Sequence, residues 1–299
     1  MDILTIVNLK KRFGDKEVLK GVSLSVPEKS VFGFIGKNGA GKTTTMKAVL
    51  GLLDADEGEI YVAGEKVTYG QTKTNRYIGY LPDVPEFYNF MTAYEYLEFC
   101  GKMAGMNGEE IKERCETMLK LVGLWDEKHR IKGFSRGMKQ RLGIAQALLG
   151  RPKLLICDEP TSALDPVGRK EILDILMAVK EETTVIFSTH ILSDVERICT
   201  DVAFLNEGKI IIQGKMEEIK EKNKSKDVYV EFENEADLKK VLEKFTECCF
   251  IEGTKMVFKG TDDRMFEMLK FIAENQISVY KLERLERTLE DMFLEVVSV

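Results

Sequence analysis

The 299-residue sequence lacks several features, and each absence removes a class of function. No apolar run approaches the roughly 18 to 20 residues that a membrane-crossing helix needs. The opening Met1-Asp2-Ile3-Leu4 has no basic stretch leading into an apolar core, so no secretory leader is expected. Positive charge is not in excess: 44 Lys and Arg face 50 Asp and Glu, a net charge of −6. No global positive field is therefore available to hold nucleic acid or an anionic surface. The six cysteines, at 100, 115, 157, 199, 248 and 249, make no CxxC pair and no metal-like spacing, which fits reduced thiols in a cytoplasm. What remains is a chain 44% hydrophobic and 31% charged, enough to bury one large core and a smaller one, so two domains are expected.

Pattern along the chain places the elements. Val22 to Val26 alternate apolar and polar, and Ser30 to Ile35 form a nearly continuous apolar run that ends at a glycine. Apolar runs Leu154–Cys157 and Val185–Phe187 flank a segment, Pro166–Lys180, with helical spacing of Ile172, Leu173, Ile175, Leu176 and Val179. Asp165 is a natural cap and Pro166 a natural first residue for that helix. Strand, helix, strand with short links implies a right-handed crossover and a parallel sheet. Met91 to Lys128 reads as a helical insertion. The charged stretch Glu217–Asp227 marks a boundary, and beyond it strand, helix, strand and helix patterns (Val228–Phe232, Ala236–Phe245, Lys255–Lys259, Asp263–Glu274) predict a small α+β domain.

Four signals carry chemistry. Gly36, Lys37, Asn38, Gly39, Ala40, Gly41, Lys42, Thr43 and Thr44 lie between an apolar strand and a helical pattern. Glycines let successive backbone N–H groups face one concavity, and the following helix adds the positive end of its dipole: a phosphate-binding loop. Lys42 then reaches the β- and γ-phosphates of ATP, and the Thr43 hydroxyl can hold Mg²⁺. A plain glycine-rich turn is the weaker alternative for so complete a pattern. Next, Leu154-Leu155-Ile156-Cys157 ends in Asp158 and Glu159. That places two acids at the carboxyl edge of a parallel sheet, where α/β folds bind ligands. Asp158 would hold Mg²⁺ through its water shell and Glu159 would orient and deprotonate the attacking water. Alone, the pair reads equally as a helix-capping turn. Third, His190 ends the strand that begins at Val185, where it would donate to a γ-phosphate or hold the lytic water; His129, between Lys128 and Arg130, reads as solvated. Fourth, Ser135 caps a helix whose first turn carries Arg136 and Lys139, cations that the helix dipole disfavours. That conflict makes sense if an anion docks there.

In this order and spacing, with Ser162-Ala163-Leu164-Asp165 after the acid pair, the set resembles the ABC-type ATPases over residues 1–215. The resemblance implies a P-loop NTPase core with an antiparallel β subdomain and a helical insertion at about 86–150. That nucleotide-binding domain would span 1–220, with a small α+β domain over 221–299. It also implies that two copies sandwich ATP, Ser135 and Gly137 of one facing the phosphate loop of the other, with Asp165 linking the sites and Phe13 stacking on adenine. Two departures stand out. The signature Leu-Ser-Gly-Gly-Gln is here Phe134-Ser135-Arg136-Gly137-Met138, and the usual glutamine after Leu81-Pro82 is Asp83. A carboxylate there can still serve Mg²⁺ but loses the amide donor. Both departures, and the ending Thr288-Leu289-Glu290-Asp291-Met292-Phe293-Leu294-Glu295, resemble the branch that serves bacterial drug, bacitracin-like peptide and sodium exporters.

The expectation is thus an ATP-hydrolysing dimer, cytoplasmic and peripheral on the inner face of the cell membrane, that drives a separate membrane permease. Pro85, Phe87, Tyr88 and Phe90 are candidates to dock that permease, although aromatics are more often core. The alternative is a soluble ABC ATPase acting on nucleic acid or ribosomes. Such proteins usually carry two motors in one chain or a long coiled coil, and this sequence has neither, so no nucleic-acid partner is expected.

Overall fold

A computed structural model describes residues 1–71, 73–222, 227–285 and 289–292, so Thr288 and residues 293–295 of the family-like ending lie outside the described residues. The chain divides into two compact units, Met1–Glu217 and Glu218–Val299.

The first unit holds two sheets. β1 (Asp2–Phe13), β2 (Lys16–Pro27), β4 (Glu57–Val62) and β5 (Glu65–Lys66) form an antiparallel sheet in the order β2-β1-β4-β5. The second sheet is built around β3 (Val31–Ile35), β6 (Ile78–Leu81), β7 (Leu154–Asp158) and β8 (Thr184–Thr189). With β9 (Asp201–Asn206) and β10 (Lys209–Lys215) its order is β10-β9-β3-β8-β7-β6, parallel except for the β9–β10 hairpin. Every residue of β3, β7 and β8 is buried, as expected of parallel strands covered on both faces.

α1 (Lys42–Val49) follows β3, and α5 (Pro166–Val179) and α6 (Leu192–Ile198) follow β7 and β8. Asp165 caps α5, its side chain accepting from the Gly168 N–H, and Pro166 takes the first helical position. Leu4, Ile6, Leu24, Phe32, Met46 and Ile156 belong to one buried cluster that joins both sheets and α1. Between β6 and β7 the chain forms α2 (Ala93–Met103), α3 (Gly108–Leu121) and α4 (Arg136–Leu148). A capping box fixes the start of α2, with Thr92 and Glu95 each bonding the other's backbone N–H. The last turn of α4 is tied to α3 by Arg114, whose Nε and Nη2 donate to the carbonyls of Leu149 (3.2 Å) and Leu148 (2.6 Å).

In the second unit, which α7 (Met216–Lys222) leads into, the order is β11 (Val228–Phe232), α8 (Glu235–Lys244), β12 (Cys248–Glu252), β13 (Lys255–Phe258), α9 (Asp262–Glu274) and β14 (Val279–Arg284). Its antiparallel sheet runs β12-β13-β11-β14. This βαββαβ order is the ferredoxin-like arrangement. Val228, Val230, Phe232, Met256 and Phe258 pack with Leu238, Val241 and Met268 of the two helices.

The Arg114 clamp generates a stability test. Arg114→Met keeps the volume but removes the donor to the Leu149 carbonyl and leaves the Leu148 carbonyl with only the Arg151 N–H at 3.1 Å. The expected loss is about 2 kcal/mol, or roughly 4–8 °C in melting temperature for a unit of this size, read by calorimetry.

Candidate functional site

β3 ends at Ile35 and the chain turns through residues 36–41 into α1. Gly39 and Gly41 have φ of 82° and 113°, a region that suits glycine. At Gly41 a Cβ would also sit 2.6 Å from Leu19 Cδ2, whereas Gly39 faces open space. Lys42 opens α1 with its side chain almost wholly buried. Its Nζ donates to the Gly36 carbonyl at 2.6 Å and lies 3.4 Å from that of Lys37.

Across the loop stand the two acids. Asp158, the last residue of β7, is buried and accepts from the Thr43 hydroxyl at 2.7 Å and the Ser188 hydroxyl at 2.5 Å, one on each carboxylate oxygen. Glu159 adopts φ 49°, uncommon for a residue with a side chain. Its Oε1 is 3.0 Å from Lys42 Nζ, a charge contact without hydrogen-bond alignment, since that buried oxygen accepts no hydrogen bond. Its Oε2 lies 2.9 Å from His190 Nδ1. The tautomer with the proton on Nδ1 donates here and leaves Nε2 as an acceptor.

These groups line a cavity of about 380 Å³ together with Asn38, Gly39, Gly41, Thr44, Asp83, Ser162 and Val18. Asp83 follows β6, whose neighbour is β7, and so reaches the same edge as Asp158. The Gln140 amide donates to its carbonyl at 2.7 Å, and its carboxylate lies 3.6 Å from Arg136 Nη2. Burial raises the Asp83 carboxyl above the ordinary range; Arg136 opposes that shift, and Asp158 and Glu159 add to it.

Other residues singled out in the sequence stand apart from the cavity. Gly36, Lys37 and Ala40 belong to the turn itself, with Ala40 buried beneath it. Phe13 ends β1 half exposed, with Lys11 Nζ 5.7 Å from its ring centre. Ser135 caps α4, accepting from the Met138 N–H at 3.2 Å, and Gly137 lies in the same first turn. Asp165 is exposed at the head of α5. His129 is exposed, paired with Glu127 at 3.0 Å and edge-on to Phe134. Sequence reasoning assigns no role to Val18, which lies outside the alternating stretch Val22–Val26, or to Ser188, which lies in the strand that begins at Val185.

Chemically, the arrangement offers a concave run of backbone and a buried ammonium for an anion, beside a hydroxyl and a carboxylate that are already neighbours. That hard-oxygen pair suits Mg²⁺, a cation held by one or two protein groups together with substrate phosphates and water. Among the described residues no cluster of three His, Cys, Asp or Glu forms a cage of its own.

Comparison with known proteins shows the family and the fold. Residues 19–162 match the ABC transporter family, and residues 214–297 match the C-terminal domain of DrrA1-3-like ATP-binding proteins. The chain is 39% identical to the uncharacterized ABC transporter ATP-binding protein YxlF of Bacillus subtilis, over 99% of both chains. It is 35% identical to the bacitracin transport ATP-binding protein BcrA of Bacillus licheniformis, over 99% of this chain and 97% of the relative. Among solved structures, cbiO1 from Clostridium perfringens, part of an ABC transporter complex, superposes with a TM-score of 0.67 at 30% identity, covering 73% of this chain and 90% of that one. The ATP-binding cassette MJ0796, a dimer bound to ADP and Pi, gives 0.64 at 27% identity, covering 71% and 98%.

A cysteine sits inside the acid strand and calls for a chemical test. Cys157 is fully buried, and burial together with the neighbouring Asp158 charge pushes its thiol well up from the ordinary range. Native protein at pH 7 is expected to leave Cys157 unmodified by a maleimide while the exposed Cys249 reacts, as read by peptide mass mapping.

Proposed function

The chain belongs to the ABC transporter ATP-binding proteins, whose cassettes hydrolyse ATP, and on that premise we propose that it drives a separate membrane permease, as an exporter, through an ATP-bound dimer. The observation that carries the site assignment is the pair Asp158–Thr43 beside Lys42–Glu159–His190 in one cavity at one sheet edge, with the buried Ser188 bonded to Asp158 from within the sheet.

The turn of residues 36–41 and the start of α1 cradle the phosphates, with Lys42 exchanging loop carbonyls for β- and γ-phosphate oxygens. Thr43 and Asp158, with Asp83 in the same cavity lining, would hold Mg²⁺, which would supply charge neutralisation at the phosphates. Glu159 orients a water on the γ-phosphorus and takes its proton as the new P–O bond forms and the bond to the β–γ bridging oxygen breaks, giving ADP and phosphate. His190 holds the Glu159 carboxylate through Nδ1, and the acceptor Nε2 that this tautomer leaves serves to hold the lytic water. Ser135 and Gly137, outside this cavity, serve the ATP of a second copy, and Asp165 lies between the two sites. Phe13, half exposed at the end of β1, stacks on adenine. The relatives' names give the direction: bacitracin transport, and linearmycin resistance for LnrL of Bacillus subtilis, point to export of a peptide or drug.

The permease contact is assigned to Phe87, Tyr88 and Phe90. Tyr88 and Phe90 are half or more exposed, and Tyr88 stacks edge-on to Phe99 beside an open cavity of about 530 Å³. Contiguous exposed apolar surface of this kind marks a partner site. Among the described residues no helix is long and apolar enough to cross a membrane, so such a partner supplies the transmembrane path.

Three outcomes test this reading. Glu159→Gln keeps ATP binding, accumulates as a dimer on size exclusion and loses about 10²- to 10⁴-fold in turnover; near-normal hydrolysis would remove Glu159 as the base. Lys42→Ala loses ATP affinity itself, measured by nucleotide titration. Tagged chain recovered from gently solubilised membranes carries a polytopic membrane protein in stoichiometric amount, and the double change Phe87→Ala with Tyr88→Ala lowers that recovery several-fold. Recovery only with ribosomes or DNA would instead support the non-transport alternative.

A further inference from the structure

We propose that Ser188 is a positioning residue for hydrolysis, its one buried hydroxyl setting both the carboxylate of Asp158 and the strained turn of Glu159. The inference rests on Asp158 as the metal-bearing acid and Glu159 as the base.

Ser188 lies directly across the β7–β8 ladder from Asp158 and is wholly buried. Its Oγ donates to Asp158 Oδ1 at 2.5 Å and accepts the Glu159 N–H at 3.0 Å. The same N–H lies 3.2 Å from the Ser188 carbonyl oxygen, so the Glu159 amide is shared between two atoms of one residue. A hydroxyl has one proton and two lone pairs. Here the proton fixes one acid and a lone pair fixes the backbone of the other, so the two acids are coupled through a single oxygen atom.

Each acid depends on that coupling. Asp158 has a hydroxyl on both oxygens, Thr43 at 2.7 Å and Ser188 at 2.5 Å, which fixes the rotation of its carboxylate plane. Thr43 is the second residue of α1 and is exposed at the cavity, whereas Ser188 is locked in the sheet and serves as the rigid partner of the two. Hydrogen-bonded partners of metal-binding carboxylates tune affinity through such orientation. Glu159, at φ 49°, persists in a sparsely populated conformation only where its surroundings hold it there. The shared bond to Ser188 does so one residue beyond the end of β7. Elsewhere β8 is apolar at positions 185–187, and a buried hydroxyl in such a strand needs polar partners.

The test compares full-length Ser188→Ala, Ser188→Thr and Asp158→Asn with the parent chain. Mn²⁺ affinity is followed by electron paramagnetic resonance with a non-hydrolysable ATP analogue, alongside ATPase kinetics and thermal melting. Ser188→Ala is expected to weaken Mn²⁺ by about tenfold or more, to raise the KM for metal–ATP by the same linkage and to lower kcat, with binding of the metal-free nucleotide held because the phosphate loop is untouched. Ser188→Thr, which keeps the hydroxyl, restores Mn²⁺ affinity. A merely structural serine would lower the melting temperature without moving Mn²⁺ affinity. That result, with Asp158→Asn still losing the metal, overturns the inference while leaving the metal assignment standing. Unchanged Mn²⁺ affinity in Asp158→Asn removes the metal assignment and this inference with it.

Discussion

The candidate site depends on the parallel pairing of β3, β8 and β7. The ladder sets Ile35 beside Thr189 and Asp158 beside Ser188, so the strands end together and their following turns open at one edge. Short crossovers force this: α5 carries the chain from β7 back to the start of β8. All residues of the three strands are buried, and a slip of one position would turn each side chain to the opposite face. Asp158 would then point into the apolar layer now holding Cys157. Both faces are apolar, so it is the acid, and not the hydrophobic pattern of Leu155 and Ile156, that the register places.

Charge within the cavity constrains what it can bind. Three carboxylates, Asp83, Asp158 and Glu159, line it with Lys42 and His190. An isolated buried ammonium costs several kcal/mol of lost hydration, and Lys42 offsets this with a loop carbonyl and Glu159. Negative groups still outnumber the one fixed cation. A bare triphosphate would worsen that imbalance, whereas one arriving with a divalent cation beside Thr43 and Asp158 relieves it. The electrostatics thus favour the metal–nucleotide complex over the free nucleotide, and they do so from the protein's own charges.

Much of this was legible in the sequence where a local pattern carries its own physics. Gly36–Thr44 announces a turn into a helix, and Asp165-Pro166 announces a cap followed by a first helical residue, because backbone conformation there is set by residue type. Elements whose pattern is blurred by exposure or irregularity are harder to read. β1 has register shifts against both neighbours, which break the period of two over its 12 residues. β12 and β14 are edge strands largely exposed along their length, so Cys248–Glu252 and Val279–Arg284 show no buried face to the eye. Ser188 escapes for the opposite reason: its importance is a relation across the ladder to Asp158, 30 positions away, and periodicity records only neighbours along one strand.

The two departures from the family pattern meet in space, which no one-dimensional reading reveals. Arg136 opens α4 against the helix dipole, a penalty of about 0.3–1 kcal/mol. An exposed ion pair is worth about as much, 0–1 kcal/mol, and Arg136 has one with Asp83 at 3.6 Å. The terms nearly cancel, so the anion that the sequence calls for at this helix start is supplied in part by the chain itself. Asp83 is held there by its backbone as well, through the buried Gln140 on the same helix. Asp83 also lines the cavity with Asp158 and Glu159. One carboxylate therefore stands in two fields, that of the phosphate site and that of the first turn of α4. An aspartate in place of glutamine and an arginine between serine and glycine are two halves of one electrostatic arrangement, since a neutral amide at position 83 would leave Arg136 with only the opposing dipole.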